Sequence, residues 1–209
     1  MSDSVPSMEH ASLTLRRWKR VEYERLVDLG LFEGDPVELI GGQLIVAEPQ
    51  NSPHATAVGA ADDALRAVLP AGFMVRTQMP LALDDESVPE PDLAVVPGRR
   101  ADYLGAHPTR AVLVVEVADS SLRLDREQKG SLYARARIGE YWIVNLVDRV
   151  LETYRDPGPG PGASHGWRYR SVGTLAPRAV LVVEVADSSL RLDREQKGSL
   201  YARARIGEY

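Results

Sequence analysis

The spacing of apolar residues predicts two helices in the N-terminal part of the chain. Residues Ser12–Leu31 place apolar side chains among charged ones at a mostly helical spacing, and glycines mark the end of the segment. Residues His54–Leu69 repeat the helical rhythm, with Ser52 as the expected N-cap and Pro70 as the stop signal. The chain therefore begins with two helical segments separated by a stretch of different character.

Short apolar runs between and after these helices predict β-strands. The run Pro36–Pro49 is divided by Gly41 and Gly42, and paired glycines between apolar runs are typical of a tight hairpin. Phe73–Leu83 and Pro91–Val96 also have strand character, and the acidic segment between them indicates a turn.

The strongest strand signal is Ala111–Val117, which reads AVLVVEV. A nearly continuous run of β-branched residues is typical of a strand buried on both faces, so this strand is expected in the centre of the sheet. Leu124–Ile138 follows as a helix, and Tyr141–Val147 with Arg149–Tyr154 as a further pair of strands.

The segment Pro157–Gly162, PGPGPG, predicts a loop or linker, because alternating proline and glycine suit no regular element. Trp167–Ser171 is expected to add one more edge strand. Together these elements predict an α/β (α+β) fold with a central mixed β-sheet flanked by helices.

One segment occurs twice. The sequence of Arg110–Tyr141 recurs letter for letter at Arg178–Tyr209. Repeats of a solenoid diverge and follow one another along the chain, whereas these two copies are identical and separated by unrelated sequence. The pattern indicates a recent duplication, natural or introduced during assembly of the sequence, and the first copy is the one in its proper context.

Composition and charge limit the chemistry that the chain can perform. It has 209 residues, a net charge of -5 and no cysteine, which excludes disulfides, thiolate zinc sites and cysteine nucleophiles. The negative charge argues against nonspecific coating of nucleic acid, although an acidic nuclease pocket is compatible with it. The sequence shows neither a signal peptide nor an apolar run of membrane-spanning length, so we expect a cytoplasmic protein without a membrane partner.

Three residues in order along the chain are candidates for catalysis. Asp92 heads a strand, Glu116 lies near the end of the central strand, and Lys129 lies on the following helix. Two carboxylates can hold Mg²⁺ or Mn²⁺, and a lysine can offset charge on a phosphate or help to activate water. Glu116 alone is equally compatible with a pairing to arginine at the open end of the strand. Lys129 alone, between Asp125 and Tyr133 at four-residue spacing, is more typical of a surface ion pair with a tyrosine packed beside it, and it is the order of the three residues that favours catalysis.

Five segments form an ordered set along the chain, namely VELIGGQLI, SPH at Ser52–His54, PEPDLAVV, LVVEVADSS and DREQKGSLYARARIGEYWIV. They run from roughly the N-terminal helix to Tyr154. In this order they resemble the Uma family of restriction-endonuclease-like proteins, within the PD-(D/E)xK nuclease superfamily.

The resemblance implies a mixed sheet of four to five strands and a metal held by Asp92 and Glu116. It also implies that Lys129 replaces the superfamily lysine, which normally lies two residues after the acidic residue, where this chain has Ala118. Glu38 would be a further acidic group in the pocket and His54 would position water or phosphate. For each of these two residues a purely structural role is the alternative interpretation.

The resemblance also implies a domain organisation. Residues 1–11 are expected as a flexible N-terminus and 12–175 as the restriction-endonuclease-like domain. The duplicate at 178–209 repeats Glu116 and Lys129 as Glu184 and Lys197, but no Pro-Asp pair precedes it, so it is not expected to form an independent domain or a second complete site.

The leading functional hypothesis is a Mg²⁺- or Mn²⁺-dependent endonuclease that hydrolyses phosphodiester bonds, with DNA favoured over RNA. Superfamily nucleases often act as dimers, so a homodimer fits. The alternative is a catalytically inactive module on the same fold that binds nucleic acid or has a regulatory role. Esterase and protease functions are disfavoured, because the chain has no His-Glu-x-x-His motif and its Gly-x-Ser-x-Gly match, Gly162–Gly166, follows a proline-glycine segment and not a strand that leads into a helix.

Overall fold

The computed structural model of the chain describes residues 15–47 and 49–175. Three predicted features lie outside the described residues, namely the N-terminal segment 1–11, the start of the first helix and the duplicate at 178–209. The strands are β1 Val37–Ile40, β2 Gln43–Val46, β3 Phe73–Thr77, β4 Leu93–Pro97, β5 Leu113–Ala118, β6 Glu140–Asn145, β7 Val150–Pro159 and β8 Trp167–Leu175. The α-helices are α1 Arg20–Asp28, α2 Ser52–Val68, α3 Leu122–Leu124 and α4 Gly130–Arg135.

Six strands form one mixed sheet in the order β3-β4-β5-β6-β7-β8. All neighbouring pairs are antiparallel except β5 and β6, which are parallel and connected through the helical segment between them. Every residue of β5 is buried, as predicted for the central strand. The sequence correctly predicted the α/β class with helices on a mixed sheet, whereas the four to five strands that the resemblance implied are six in the structure.

The two faces of the sheet carry separate apolar clusters. Helix α2 covers one face, where Leu65 packs with Leu93 and Val115. Helix α4 covers the other face, where Tyr133 packs with Val114. Because side chains alternate along a strand, Glu116 shares the α4-covered face with Val114 and Ala118 and lies under that helix.

The predicted hairpin is present as β1 and β2, which form a separate two-stranded sheet. Gly41 and Gly42 have φ angles of 55° and 79°, as a two-residue turn of this kind requires. The hairpin turn is held in place because the backbone N–H of Trp18 donates to the carbonyl of Gly42 over 2.9 Å.

The N-terminal helix is shorter than predicted. It spans Arg20–Asp28, whereas the described residues before Arg20 have no helical structure. The reason is tertiary, since Trp18 bonds the hairpin turn and the N–H of Arg20 donates to the carbonyl of Asp85 over 2.6 Å. These contacts bind the chain ahead of the helix to two loops that the apolar spacing could not reveal.

Two predicted boundaries in the middle of the chain also differ. The N-cap of α2 is Asn51 and not Ser52, because the Asn51 side chain accepts a hydrogen bond from the N–H of His54 over 3.0 Å. Strand β3 ends at Thr77 and does not continue to Leu83, because Gln78 has a φ of 51° and turns the chain away from the sheet.

The segment PGPGPG is partly a strand, so its prediction as a loop was wrong for its first half. Pro157 and Pro159 pair with β8, opposite Tyr169 and Trp167. The pairing of β7 with β6 stops at Arg155, so beyond that residue β7 is bonded on one side only. A proline, which has no N–H to donate, is tolerated in a strand with an open side. The edge strand predicted after it is confirmed as β8.

The predicted helix Leu124–Ile138 has an irregular form. It begins with α3, continues as a π-helical segment, Asp125–Lys129, and ends as α4. Gly130 directly follows the π segment, and a Cβ there would lie 3.2 Å from the carbonyl oxygen of Asp125. The hydroxyl of Tyr141 donates to that same carbonyl over 3.0 Å. Within the described parts of the chain no helix is long and apolar enough to cross a membrane.

Candidate active site

A recess of about 330 Å³ opens beside the carboxyl-terminal half of β5. The β1–β2 hairpin, the start of α2, the residue before β4, the loop after β5 and the π segment provide its walls. All five predicted site residues line it. The ionisable side chains in its wall are Glu38, His54, Asp92, Glu116, Asp119, Asp125 and Lys129.

Asp92 and Glu116 are tied together by reciprocal hydrogen bonds. The backbone N–H of Val117 donates to Oδ2 of Asp92 over 2.8 Å, and the N–H of Asp92 donates to Oε2 of Glu116 over 3.4 Å. Both side chains are buried. The antiparallel pairing of β4 with β5 brings these two residues together, and each carboxylate is oriented by the backbone beside the other one.

Lys129 supplies the cation of the recess. Its Nζ lies 3.2 Å from Oε1 of Glu38 and 3.2 Å from Oε1 of Glu116. Burial opposes the charge of Lys129, but the carboxylates of Glu116, Glu38 and Asp125 outweigh it and raise its pKa. The raised pKa means that Lys129 keeps its proton and its positive charge. At 6% exposed, Lys129 is no surface ion pair.

Tyr133 also contacts Glu116. Its hydroxyl donates to Oε1 of Glu116 over 2.6 Å, and the ring is fully buried. Burial and the charge of Glu116 raise the pKa of Tyr133, so it remains a donor. Since Tyr133 and Lys129 both use Oε1, Oε2 is the oxygen of Glu116 on the side of Asp92. The carboxylate of Glu116 thus pairs with a lysine and a tyrosine and not with an arginine.

Glu38 projects into the recess from β1. It accepts from Lys129 at Oε1 and from the backbone N–H of Glu90 over 3.1 Å at Oε2. Burial raises the pKa of the neighbouring Glu90, and the charge of Glu38 adds to this shift. Glu38 and Glu116 therefore form ion pairs with the same lysine, Lys129.

His54 and Gln78 lie next to Asp92. The Nε2 atom of His54 is 3.4 Å from Oδ2 of Asp92, and Nε2 of Gln78 lies 3.4 Å from Oδ1. Nδ1 of His54 is buried and has no hydrogen-bond partner. The aromatic residues Tyr141 and Trp142 are buried in the core and do not form a surface for base stacking.

Asp125 also lies in the recess, although its sequence pattern predicted only an ion pair with Lys129 on a helix. It is 2% exposed, lines the recess and accepts a hydrogen bond from the hydroxyl of Ser121 over 2.6 Å. Burial raises the pKa of Asp125 to about 6, with Lys129 opposing the shift and the carboxylates of Asp92 and Glu38 adding to it. The signal in the sequence was its position four residues before Lys129, which places both on one side of a helix.

The charge of the recess favours a cation. Four of its buried residues carry a carboxyl group, Glu38, Asp92, Glu116 and Asp125, and only Lys129 carries a buried positive charge. Burial raises the pKa of Glu116 well above its ordinary value, Lys129 opposes the shift, and the other three carboxyl groups reinforce it. A cation near Glu116 would relieve this excess of negative charge.

The donor set fits a hard metal ion only in part. Among residues 15–47 and 49–175, no three side chains of the metal-binding types are grouped as a complete ligand set. Asp92 and Glu116 nevertheless offer carboxylate oxygens side by side, and Mg²⁺ is commonly bound through one or two carboxylates while it keeps several waters. These two residues therefore fit an ion of this kind that also contacts water and substrate.

Comparison with known proteins places the chain in a family. The model of the Uma2 family, described as "Putative restriction endonuclease", matches residues 20–165. Curated proteins gave no match. Among solved structures, the crystal structure of "a putative nuclease belonging to DUF820" from Anabaena variabilis ATCC 29413 has a TM-score of 0.54 and 13% sequence identity, over 81% of this chain and 91% of that chain. This likeness shows a shared fold. The chain belongs to the Uma2 family.

Proposed function

We propose that this protein is a metal-dependent endonuclease that hydrolyses phosphodiester bonds of DNA. Asp92 and Glu116 hold Mg²⁺ or Mn²⁺, and Lys129 acts on the substrate phosphate or the attacking water. The observation that carries the proposal is the meeting of Asp92, Glu116 and Lys129 in one recess, although they come from three different elements. The family supports nuclease chemistry in general.

The charge of the recess explains why a metal would be needed. A phosphodiester is an anion, and the buried carboxyl groups would repel it. When bound, a divalent ion supplies Lewis-acid stabilisation of the phosphate and lowers the pKa of water. Asp92 and Glu116 would hold that ion, and Oε1 of Glu116 is already engaged by Tyr133 and Lys129.

Lys129 acts through its charge. Because its pKa is raised, it does not lose its proton at neutral pH and does not serve as a general base. Its ammonium group, held by Glu38 and Glu116, can donate a hydrogen bond to a phosphate oxygen and offset charge that develops there. His54, next to Asp92, is placed to position water or phosphate.

The alternative of an inactive binding module is less well supported. Burying charged groups is costly, and this recess buries Lys129 together with the carboxyl groups of Glu38, Glu116 and Asp92. A module that only binds has no need for such a group of charges. Metal affinity separates the two hypotheses, since only the nuclease requires a divalent ion.

The test is cleavage of supercoiled plasmid by the purified protein in Mg²⁺, in Mn²⁺ and in EDTA. We expect nicked or linear DNA with either metal and none in EDTA. Asp92→Ala should abolish cleavage without unfolding the protein, and Asp85→Asn, at an exposed carboxylate in a loop, is the control that should leave it unchanged. A labelled RNA of matched sequence tests the preference for DNA. Metal-dependent cleavage that persists in Asp92→Ala would overturn the assignment.

The proposed homodimer of the single domain 12–175 is tested by the molar mass of the protein in solution. Light scattering after size-exclusion chromatography gives the molar mass in solution. A mass of one chain would exclude the homodimer under those conditions and would leave the nuclease proposal intact.

A further inference from the structure

The π segment carries Lys129 and is held over the sheet at two points. Lys129 pairs with Glu116 on β5. Arg126, three residues earlier in the same segment, pairs with Glu152 on β7. Both carboxylate residues are in register with Ile143 on β6, which lies between their strands. Residues in register point to the same face of a sheet, so Glu116 and Glu152 face the π segment together, two strands and roughly 10 Å apart.

The ion pair of Arg126 with Glu152, the anchoring pair, has a fixed geometry. Nε of Arg126 donates to Oε2 over 3.0 Å and Nη2 donates to Oε1, so the guanidinium engages both carboxylate oxygens. The carboxylate of Asp148 lies 3.7 Å from the same Nη2. Glu152 is buried and also accepts from the hydroxyl of Tyr154 over 2.6 Å and from Nδ2 of Asn145 over 2.7 Å. A two-pronged pair fixes orientation as well as distance, so Arg126 is bound at one place on the sheet.

The π segment depends on contacts outside it for its shape. The N–H of Gly130 donates to the carbonyl of Asp125, five residues earlier, whereas an α-helix bonds residues four apart. Such turns are rare in proteins, which indicates that the α-helical form is favoured unless surrounding contacts oppose it. One residue changes the direction of a helical side chain by about 100°, so a return to the α-helical form with Arg126 in place would turn Lys129 away from Glu116.

We propose that Arg126 and Glu152 are positioning residues, whose ion pair fixes the π segment on the sheet so that Lys129 reaches Glu116 and the substrate phosphate. Both members of the anchoring pair lie outside the wall of the recess, so they act through the position of Lys129 and not by contact with substrate. The inference rests on the proposed nuclease function for its effect on the rate, whereas its effect on Lys129 can be measured without any cleavage.

The first measurement is the environment of Lys129 itself. The chain has three lysines, Lys19, Lys129 and Lys197, so protein with isotope-labelled lysine gives a simple proton–carbon correlation spectrum. The variant Lys129→Met identifies the ε-methylene signals of Lys129. Glu152→Gln removes the charge that the arginine binds, and Arg126→Gln removes the guanidinium, whose side chain is 43% exposed and can be replaced without burying a new polar group. We expect both variants to shift the Lys129 signals.

The second measurement is the rate of plasmid cleavage at saturating DNA and Mg²⁺. A displacement of about 1 Å in an active site can cost about 100-fold in rate, so we expect Glu152→Gln and Arg126→Gln to lower kcat by about 10- to 100-fold. The double variant should be no slower than the slower single variant, because both changes break the same contact.

The ion pair of Arg155 with Glu140 supplies a matched control. It also joins a half-exposed arginine to a buried carboxylate, with side chains 36% and 4% exposed against 43% and 6% in the anchoring pair. Glu140 is in register with Leu113, on the face of the sheet covered by α2 and away from the π segment. Glu140→Gln should therefore lower the thermal midpoint about as much as Glu152→Gln but leave kcat and the Lys129 signals unchanged.

The outcomes separate this inference from the proposed function. Lys129 signals that stay in place in both Glu152→Gln and Arg126→Gln would overturn the inference. So would a kcat that stays at the wild-type value in both variants, or an equal loss of kcat in Glu140→Gln. If the Lys129 signals shift as expected but the wild-type protein cleaves no DNA with Mg²⁺ or Mn²⁺, the proposed nuclease function fails and the anchoring of Lys129 stands.

Discussion

The Nζ atom of Lys129 lies 3.2 Å from Oε1 of Glu116, although the two residues belong to different elements. The superfamily pattern that the sequence resembles has its lysine two residues after the acidic residue, where this chain has Ala118. Ala118 is buried in the apolar cluster under α4. Lys129 lies in the π segment and contacts Glu116 from there. The lysine and the acidic residue are therefore in contact even though their spacing in the sequence differs from the superfamily pattern.

Replacing Glu116 should abolish cleavage, and the duplicate supplies a matched control. Glu116→Gln removes one of the two carboxylates proposed to hold the metal, and we expect no detectable nicking of plasmid. Glu184→Gln makes the same change within the same local sequence in the second copy, which no Pro-Asp pair precedes, and should leave the rate unchanged. Loss of cleavage in Glu184→Gln would show that the second copy contributes to a site.

Removing the charge of Lys129 should make stability depend on pH. In Lys129→Met the carboxylates of Glu38 and Glu116 lose their shared cation, which costs about 3–5 kcal/mol in the free energy of unfolding when both are charged. The pKa of Glu116 is already raised in the folded protein, and loss of the lysine raises it further. A carboxyl group with a raised folded-state pKa destabilises the protein as the pH rises from the unfolded-state pKa to the folded-state pKa.

The deficit of Lys129→Met relative to wild type should therefore be larger at about pH 8 than at about pH 5. Urea unfolding followed by circular dichroism at both pH values measures it. Lys197→Met, in the second copy, is the control and should show no such dependence. An equal deficit at both pH values would contradict the electrostatic explanation.

Tyr133 should act as a positioning residue for Glu116. Tyr133→Phe keeps the ring in the core but removes the hydrogen bond to Oε1, which stabilises the fold by about 1 kcal/mol. Loss of such a supporting contact typically weakens metal affinity or activity by about 10- to 100-fold. We expect a higher Mg²⁺ requirement for cleavage and a thermal midpoint lowered by about 2–4 °C. Tyr103→Phe, which removes a hydroxyl bonded to the carbonyl of Pro97 away from the recess, is the comparison.

Ending the chain after Leu175 should leave cleavage intact. The five proposed site residues and the six strands of the sheet lie within residues 15–175. The truncated protein should match the full chain in thermal midpoint and in plasmid cleavage. A change in molar mass in solution on truncation would assign the duplicate a role in association, and a loss of activity would assign it a role in the active domain.

The sequence predicted best those elements whose structure depends on a short run of neighbouring residues. The strand AVLVVEV is apolar on both faces and could only be central, and Gly41 with Gly42 can adopt the positive φ angles of a tight hairpin turn. The predictions that were wrong depended on distant partners. Helix α1 is shortened by contacts of Trp18 and Arg20 with two loops, and the strand through Pro157 exists because β8 pairs with it from one side.

The sequence by itself determined the α/β class, the order of Asp92, Glu116 and Lys129 along the chain, and the resemblance on which their selection depended. Only the tertiary structure decided that Glu38 and Glu116 share Lys129, that Tyr133 engages Oε1 of Glu116, and that Asp125 is buried in the same recess. The physical reason is that the pattern of apolar residues reports burial one element at a time. The ionisation of a carboxyl group depends instead on charges and donors that other elements bring within a few ångströms of it.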